Sequence, residues 1–262
     1  MPRQPGIILD LDGTVYRGGR LIPGAAEAVE ELRRRGHPLV FVTNALESSD
    51  YLAARLARFG VSAEPDEVVN ASSVLVRYLG RHIPNATVFP ISDPPLVEAL
   101  GAHFQLSQDP EQIDVVVASC DCTFDYHKLN IGFQALQRGA RFLAANADPT
   151  WPAPGGELPD AGAIIGALEG CTGRQLELVA GKPSPLASEA ALERLGRPAH
   201  ECWLVGDSLK TDIEMGHQAG MTTVLVLTGV TRPADLARAP VRPDYVLESI
   251  AELPQLLAAQ AG

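Results

Sequence analysis

Residues Ile7–Tyr16 read IILDLDGTVY, an apolar run that leads into two acids. The pattern predicts a buried strand over 7–9 that ends at Asp10, after which Gly13 turns the chain. In open parallel sheets, ligands bind at the carboxyl ends of the strands. Two carboxylates at such a place are costly to bury unless a cation offsets their charge. We therefore expect Asp10 and Asp12 to face a cationic partner.

An EF-hand calcium loop also begins with the pattern DxDG, so this alternative needs a test. Such a loop requires a glutamate at its twelfth position. Counted from Asp10, that position holds Leu21. A calcium loop is excluded, and the remaining alternative for the isolated segment is a strand that runs into an acidic turn.

The composition is that of a globular protein with an acidic surface. The chain has 262 residues, of which 46% are hydrophobic and 20% charged, and its net charge is −11. This length allows one large domain or two modest ones. The basic cluster Arg33–Arg35 falls at the end of a predicted helix, where it suits the helix dipole. Without a basic face, a nucleic-acid polymer is not an expected partner.

Four cysteines bear on the cellular compartment. Cys120 and Cys122 are one residue apart, and no second pair follows at the spacing of a zinc site. We expect all four as reduced thiols. The acids of the first strand interrupt the only apolar segment near the N-terminus, and no apolar run approaches the roughly 20 residues that span a bilayer. The expected location is cytoplasmic, with no membrane partner.

Strand-like and helix-like segments alternate along most of the chain, and this alternation predicts an α/β fold with parallel sheets covered by helices. After the first strand, further strands are predicted at 38–42, 68–69, 86–89, 114–118, 141–145, 176–179, 202–205, 222–227 and 245–247. The segment 149–159 is rich in proline and glycine and is predicted to be a loop.

Polar residues recur where predicted strands end or helices begin. Thr43 and Asn44 follow the second strand, and Lys182 stands in GKPS before a helix. The segment LVGDSLKTDIEMG, 204–216, ends a strand in Asp207 and has Asp212 five residues later. Each residue alone has a structural alternative, such as a turn or a surface lysine. GKPS is not a nucleotide-binding P-loop, because the glycine required five residues before its own glycine is Leu176.

Together these residues resemble the haloacid dehalogenase (HAD) superfamily of phosphatases. The matching pattern is an apolar strand with DxDGT, a strand ending in threonine, a lysine, and GDSxxTD. In this chain it comprises 10–14, Thr43, Lys182 and 207–212. The resemblance implies a Rossmann-like core and a phosphomonoester hydrolase that forms an aspartyl-phosphate.

The chemistry of these residue types fits that function. A carboxylate is ionised at neutral pH, so Asp10 can attack phosphorus without a general base. Asp12 can protonate the leaving alcohol and then activate water, which requires a raised pKa that we expect from its acidic neighbours. Thr43 and Asn44 would bind phosphoryl oxygens, and Lys182 would offset their charge.

Four carboxylates at one sheet edge repel one another and therefore predict a divalent cation. All-oxygen ligation indicates Mg²⁺. The expected metal residues are Asp10, Asp12 through its backbone carbonyl, and Asp207. Asp212 is expected to orient Asp207 and metal-bound water more than to bind the ion itself.

Spacing predicts where an extra domain is inserted. From Asp10 to Thr43 there are 33 residues, enough for one helix and one strand, whereas Thr43 to Lys182 spans 139 residues. We therefore expect a catalytic core over 1–71 and 181–262 and an inserted α/β domain over 72–180. This layout resembles the C2a-capped, NagD-like and 4-nitrophenylphosphatase-like branch, in which the cap reads the substrate.

Within the inserted domain, the candidate substrate-binding residues are Asn146, Asp148 and Trp151, the last by stacking on a flat leaving group. A plain proline-bounded loop is the alternative. The branch usually has a second asparagine where this chain has Ala45, which puts one polar contact near the phosphate in doubt. A homodimer through the cap is implied by the resemblance alone.

The predicted function is hydrolysis of a small phosphorylated metabolite of the nucleotide, sugar phosphate, phosphoglycolate or pyridoxal phosphate type. A phosphotransferase or phosphomutase is one alternative, although small mutases of the family carry their cap between the first two motifs, where this chain has no room. A non-catalytic regulatory protein is another, but such proteins usually lack one of the acids that are retained here.

Overall fold

A computed structural model describes residues 4–153 and 155–260. The ends of the predicted core, 1–3 and 261–262, and residue 154 of the predicted loop lie outside the described residues. The chain folds into two compact units. One comprises the chain up to Thr43, Ser49–Val69 and the chain from Lys182 onward, and the other comprises Asn44–Ser48 and Asn70–Gly181.

The strands and helices follow the predicted alternation. In chain order the strands are β1 (Gly6–Asp10), β2 (Tyr16–Arg17), β3 (Arg20–Leu21), β4 (Leu39–Thr43), β5 (Val68–Asn70), β6 (Thr87–Ile91), β7 (Gln105–Leu106), β8 (Val115–Ala118), β9 (Arg141–Ala144), β10 (Thr150–Ala153), β11 (Gly156–Pro159), β12 (Leu178–Val179), β13 (Cys202–Gly206), β14 (Thr222–Val226) and β15 (Tyr245–Leu247). The helices are α1 (Ala25–Arg34), α2 (Ser49–Arg58), α3 (Ala71–His82), α4 (Pro94–Gly101), α5 (Tyr126–Gln137), α6 (Ala161–Thr172), α7 (Pro185–Leu195), α8 (Glu214–Ala219), α9 (Pro233–Leu236) and α10 (Leu253–Gln260).

The first unit is built on a six-stranded sheet in the order β15-β14-β13-β1-β4-β5. Strand β1 lies inside it and pairs in parallel with β13 and with β4. All five residues of β1 are buried. A strand covered on both faces reads as a continuous apolar run rather than an alternating one, which is why Ile7, Ile8 and Leu9 follow one another.

The second unit has its own five-stranded sheet, in the order β12-β9-β8-β6-β7. Its strands pair in parallel, and Val116, Phe142 and Leu168 are fully buried in its core. Each sheet thus has an apolar centre and crossover helices. The predicted α/β class with a Rossmann-like parallel sheet is confirmed.

The prediction of a loop over 149–159 is wrong. Strands β10 and β11 pair antiparallel there as a hairpin, with Trp151 opposite Leu158. Gly155 and Gly156 have φ of 92° and 153°, values that favour glycine in a tight connection. Composition was a misleading guide here, because proline is compatible with a two-stranded ribbon that has free edges.

Helix α3 and the hairpin of β2 and β3 are further features that the sequence pattern did not predict. Asn70 caps α3 by accepting a hydrogen bond from Ser73 N at 2.7 Å. Among the described residues, no helix is both long and apolar enough to cross a membrane.

Candidate active site

The strand register brings the candidate residues of the first unit to one sheet edge. Asp10, the last residue of β1, lies opposite Val42 of β4, so that Thr43 is one residue further toward the carboxyl end. On the other side Leu9 lies opposite Val205 of β13, which places Asp207 just beyond the paired residues. Parallel strands put their carboxyl ends on the same side, and this is why residues so distant in sequence meet.

Three acids and one lysine form the centre of the cluster. Carboxylate oxygens of Asp10, Asp207 and Asp212 lie within 4.8 Å of one another. Lys182 Nζ lies 2.5 Å from Asp10 Oδ1 and 2.6 Å from Asp212 Oδ1. All four side chains are buried, with Lys182 only 5% exposed. Three carboxylates and one ammonium leave two uncompensated negative charges when all are ionised, which a divalent cation would match.

The pKa values express this excess of negative charge. Burial raises the pKa of Asp10 well above its ordinary value, and Asp212 and Asp207 raise it further, against the opposing effect of Lys182. Burial and Asp212 raise the pKa of Asp207 to about 7. Burial alone would lower the pKa of Lys182, but the carboxylates of Asp10 and Asp212 more than offset this and raise it. Lys182 is therefore an ammonium, and the acids require a further cation to be ionised together.

The second oxygen of Asp10 provides a test of whether a metal ion fits. Asp10 Oδ2 is buried, and within the described part of the chain it has no hydrogen-bond partner. A buried carboxylate oxygen without a donor is costly, and a cation is the usual remedy. The donor set consists of oxygens, which suits Mg²⁺ and disfavours thiophilic metals. The residues present therefore fit Mg²⁺.

Asp212 and Asp207 are held differently. Asp212 sits in a single π-helical turn, Leu209–Ile213, and uses Oδ1 for Lys182 and Oδ2 for the amide of Ser208 at 3.0 Å. Asp207 Oδ2 accepts a hydrogen bond from Val230 N at 2.5 Å. Because both oxygens of Asp212 are occupied by donors, the geometry favours Asp207 as the metal ligand and Asp212 as the group that orients Lys182.

Asp12 is exposed, whereas Asp10, two residues earlier, is buried. Asp12 Oδ2 accepts a hydrogen bond from Gly18 N at 3.3 Å, in the connection between β2 and β3. The protein atoms around it raise its pKa by desolvation, while the Gly18 amide, Arg55 and Arg17 lower it. The expected rise in the pKa of Asp12 is present, but its cause is desolvation and not the charge of acidic neighbours.

The loop that follows β14 contributes to the site and could not be recognised from the motifs. Val230 N bonds Asp207, and Thr228 Oγ1 donates to the Gly13 carbonyl at 2.5 Å. A Cβ added to Gly13 would lie 2.5 Å from Asp207 Oδ2, and one added to Gly229 would overlap the same carboxylate. The segment TGVT, 228–231, follows a predicted strand, as the motif residues do. It contains no ionisable group, so the sequence assigns it no chemical role.

The candidates of the second unit form a separate hydrogen-bond network. Asn44 Nδ2 donates to Asp148 Oδ2 at 2.8 Å, and Asn146 Nδ2 donates to the same oxygen at 3.3 Å. Asn146 is buried, and its Oδ1 accepts from Ser119 Oγ at 3.0 Å. Trp151 is 37% exposed on its hairpin. Asn146 is thus engaged inside its own unit, and the predicted substrate contacts of these residues stay predictions.

Comparisons with known proteins agree with one another. A family model described as haloacid dehalogenase-like hydrolase matches residues 7–103, and one described as HAD-hydrolase-like matches 179–253. The sugar-phosphatase AraL of Bacillus subtilis is 40% identical over 96% of this chain and 92% of its own.

Solved structures are similar over the same extent. The p-nitrophenyl phosphatase of Archaeoglobus fulgidus has a TM-score of 0.91 at 34% identity, covering 97% of this chain and 100% of its own. A glycerol phosphate phosphatase from Mycobacterium tuberculosis, solved in complex with magnesium, has a TM-score of 0.87 at 32% identity, covering 97% of this chain and 78% of its own.

Proposed function

Because this chain belongs to the haloacid dehalogenase-like hydrolases and is a phosphatase, we propose that it hydrolyses phosphate monoesters of small metabolites through Asp10 and a bound Mg²⁺. One observation carries the proposal. Asp10, Asp207, Asp212 and Lys182 are buried together at a sheet edge, and Asp10 Oδ2 lacks a hydrogen-bond partner within the described residues.

Asp10 is the proposed nucleophile. Lys182 holds Oδ1 at 2.5 Å and so fixes the orientation of the carboxylate. Attack on phosphorus forms an aspartyl-phosphate and releases the alcohol of the ester. A second attack, by water, frees phosphate and restores Asp10. Lys182 keeps its positive charge throughout and compensates charge on the phosphoryl oxygens, which is the main contribution that a protein makes to phosphoryl transfer.

Asp12 is the proposed acid and base. It stands two residues after Asp10 and is exposed, so it is the acid that we assign to the leaving alcohol. Its raised pKa allows it to donate a proton to the alcohol in the first step and to take one from water in the second. Thr43, buried at the end of β4 one residue beyond the pair of Asp10 with Val42, is the proposed contact to the phosphoryl oxygens.

Mg²⁺ would be held by the carboxylates of Asp10 and Asp207 and by the backbone carbonyl of Asp12. When bound, it would neutralise these carboxylates and polarise the phosphoryl oxygens. Asp212 positions Lys182 through the hydrogen bond between Lys182 Nζ and Asp212 Oδ1. The magnesium complex of the glycerol phosphate phosphatase supports this choice of ion.

A sugar phosphate is the substrate class that we propose to test first. The support is the sugar-phosphatase AraL, whose match covers nearly the whole of both chains. The second unit is the proposed cap, with Asn146, Asp148 and Trp151 as candidate contacts to the leaving group. Homodimer formation through that unit remains a prediction.

The test of this function is phosphate release from a panel of some tens of esters, with and without Mg²⁺. The panel includes sugar phosphates, nucleoside monophosphates, phosphoglycolate, pyridoxal phosphate and an aryl phosphate. Magnesium-dependent release of phosphate is the expected result. An isomeric phosphate with little free phosphate would instead identify a mutase, and no turnover of any ester would favour a regulatory protein.

Replacing Gly229 by alanine should reduce kcat/KM by about 100-fold, the order expected when a catalytic group is displaced by about 1 Å. The added Cβ would overlap the Asp207 carboxylate and push it from its place. Gly19→Ala is the matched control, because a Cβ at Gly19 meets no atom within 4 Å. Equal kcat/KM in the two variants would contradict the role assigned to this close contact.

Replacing Trp151 by alanine should change substrate preference and leave the chemical step intact. If the indole stacks on a flat leaving group, the ratio of kcat/KM for an aryl phosphate to that for a sugar phosphate should fall up to about tenfold, since aromatic pairs contribute roughly 0.5–1.5 kcal/mol. Tyr126→Ala, which removes an aromatic side chain that is 82% exposed in the same unit, is the control. An unchanged ratio would remove Trp151 from the specificity-determining residues.

A further inference from the structure

A second group of possible metal ligands lies within the second unit, at the carboxyl edge of its own sheet. Strands β6 and β8 pair in parallel, with Ile91 opposite Ala118. Asp93 follows the first of these strands by two residues, and Cys120 follows the second by two. The amide of Asp93 donates to the Cys120 carbonyl at 2.7 Å, which ties the two strand ends together.

The three side chains converge. One ligand atom from each of Asp93, Cys120 and Cys122 lies within 4.8 Å of the other two. Cys122 N donates to Asp93 Oδ1 at 2.9 Å, and Cys122 Sγ lies 3.5 Å from Asp93 Oδ2. Ligand atoms around a tetrahedral zinc ion are about 3.3–3.8 Å apart, given Zn–O and Zn–S bonds of about 2.0 and 2.3 Å. The separations in this group exceed that range by at most about 1 Å.

The surroundings carry negative charge that the ion pairs of the described residues do not neutralise. Asp160, 8% exposed, lies near enough to Cys120 for its negative charge to raise the pKa of that thiol. Within the described residues, neither Asp93 nor Asp160 forms an ion pair, and the nearby Lys128 is paired with Asp121 at 2.7 Å. Burial, Asp160 and Asp93 raise the pKa of Cys120 to about 12. The thiols are thus protonated until a cation displaces their protons.

Cys122 is exposed, and a buried hydroxyl stands next to Asp93 in the sequence. The hydroxyl of Ser92, the residue before Asp93, is buried, and no group in the described part of the chain forms a hydrogen bond with it. The exposed Cys122 leaves a path from solvent to the cluster.

We propose that Asp93, Cys120 and Cys122 bind one zinc ion, at a site distinct from the magnesium site of Asp10. Two thiolates and a carboxylate suit Zn²⁺, whereas Mg²⁺ does not take sulfur ligands. Binding releases the two thiol protons to solvent and leaves the fourth position to water. The ion links the segments that follow β6 and β8 and therefore stabilises the second unit.

Titration with Cd²⁺ as a probe for zinc tests the proposal, because cadmium bound to thiolate gives an ultraviolet charge-transfer band. The reduced protein is kept in excess Mg²⁺, which occupies the oxygen site. We expect a band that saturates at one equivalent of Cd²⁺ and a rise in Tm with Zn²⁺. Cys120→Ser and Cys122→Ser should each lose at least half of the band and the rise in Tm.

Two matched variants sharpen the result. Cys171→Ser removes an exposed thiol outside the cluster and should leave the band unchanged. Asp93→Asn keeps the acceptor for the Cys122 amide and should weaken Cd²⁺ binding at least about tenfold.

Three results would overturn the proposal: no band in the wild type, a band of full size in both cysteine variants, or unchanged affinity in Asp93→Asn. Far-ultraviolet circular dichroism establishes that each variant is folded. If Cys120→Ser does not fold, Cys122→Ser decides alone, because that side chain is exposed.

Discussion

Asp10→Asn is expected to lower kcat/KM by at least about 10⁴-fold, the order seen when a covalent nucleophile is removed. The amide is nearly isosteric with the carboxylate but does not attack phosphorus. Steady-state phosphate release with the best ester of the panel measures the effect. Asp66→Asn, which makes the same change on a side chain that is 95% exposed, is the control.

The stability of this variant separates a chemical loss from unfolding. The pKa of Asp10 is raised in the folded protein, so at pH 7 its ionised form destabilises the fold relative to the unfolded chain. A neutral asparagine removes that cost, and Lys182 retains Asp212 as its partner. The Tm without metal should therefore be unchanged or higher. Full activity would contradict the assignment of Asp10 as nucleophile, and a loss of only about 10²–10³-fold would indicate an electrostatic role.

Asp207→Asn is expected to raise the Mg²⁺ concentration needed for half-maximal activity by more than about 100-fold, since even residues that only orient a metal ligand contribute 10–100-fold. The amide oxygen can still accept the hydrogen bond from Val230 N, so the surrounding loop should persist. Activity as a function of Mg²⁺, together with the rise in Tm on adding Mg²⁺, measures the change.

Asp212→Asn is the matched comparison for this experiment. Both oxygens of Asp212 have donors, so its replacement should shift the Mg²⁺ dependence less than that of Asp207. A larger shift in the Mg²⁺ dependence of Asp212→Asn than in that of Asp207→Asn would indicate that Asp212 is the metal ligand. An unaltered Mg²⁺ dependence in Asp207→Asn would exclude Asp207 as a ligand.

Several features of the core could be read from residues close together in the chain. The run of three apolar residues before Asp10 indicates a strand covered on both faces, and glycines and prolines mark the ends of helices. Asp10, Thr43 and Asp207 could be placed at one edge because every strand of a parallel sheet ends on the same side. Lys182 was assigned to the same site from the family motif. In the structure its ammonium forms hydrogen bonds with both Asp10 and Asp212.

Other features needed contacts that no local pattern encodes. The amide of Val230 reaches Asp207 across a separate loop, and any residue except proline offers such an amide. The hairpin that carries Trp151 has the composition of a loop.

The cluster of Asp93 with Cys120 and Cys122 shows the same limit. In the sequence the two cysteines do not indicate a zinc site, because no second pair follows them at the required spacing. Their third partner is an aspartate 27 residues earlier, brought alongside by the pairing of β6 with β8.

The sequence alone therefore determined the class of fold, the family and the acids that we propose for phosphoryl transfer, because the hydrophobic period and the motif residues are visible without knowledge of contacts. The tertiary structure decided which oxygen of Asp10 lacks a donor, which acid positions Lys182, and where the two thiols find their carboxylate. These features depend on contacts between chain segments that are far apart in sequence, and such contacts form only when the strands of each sheet pair.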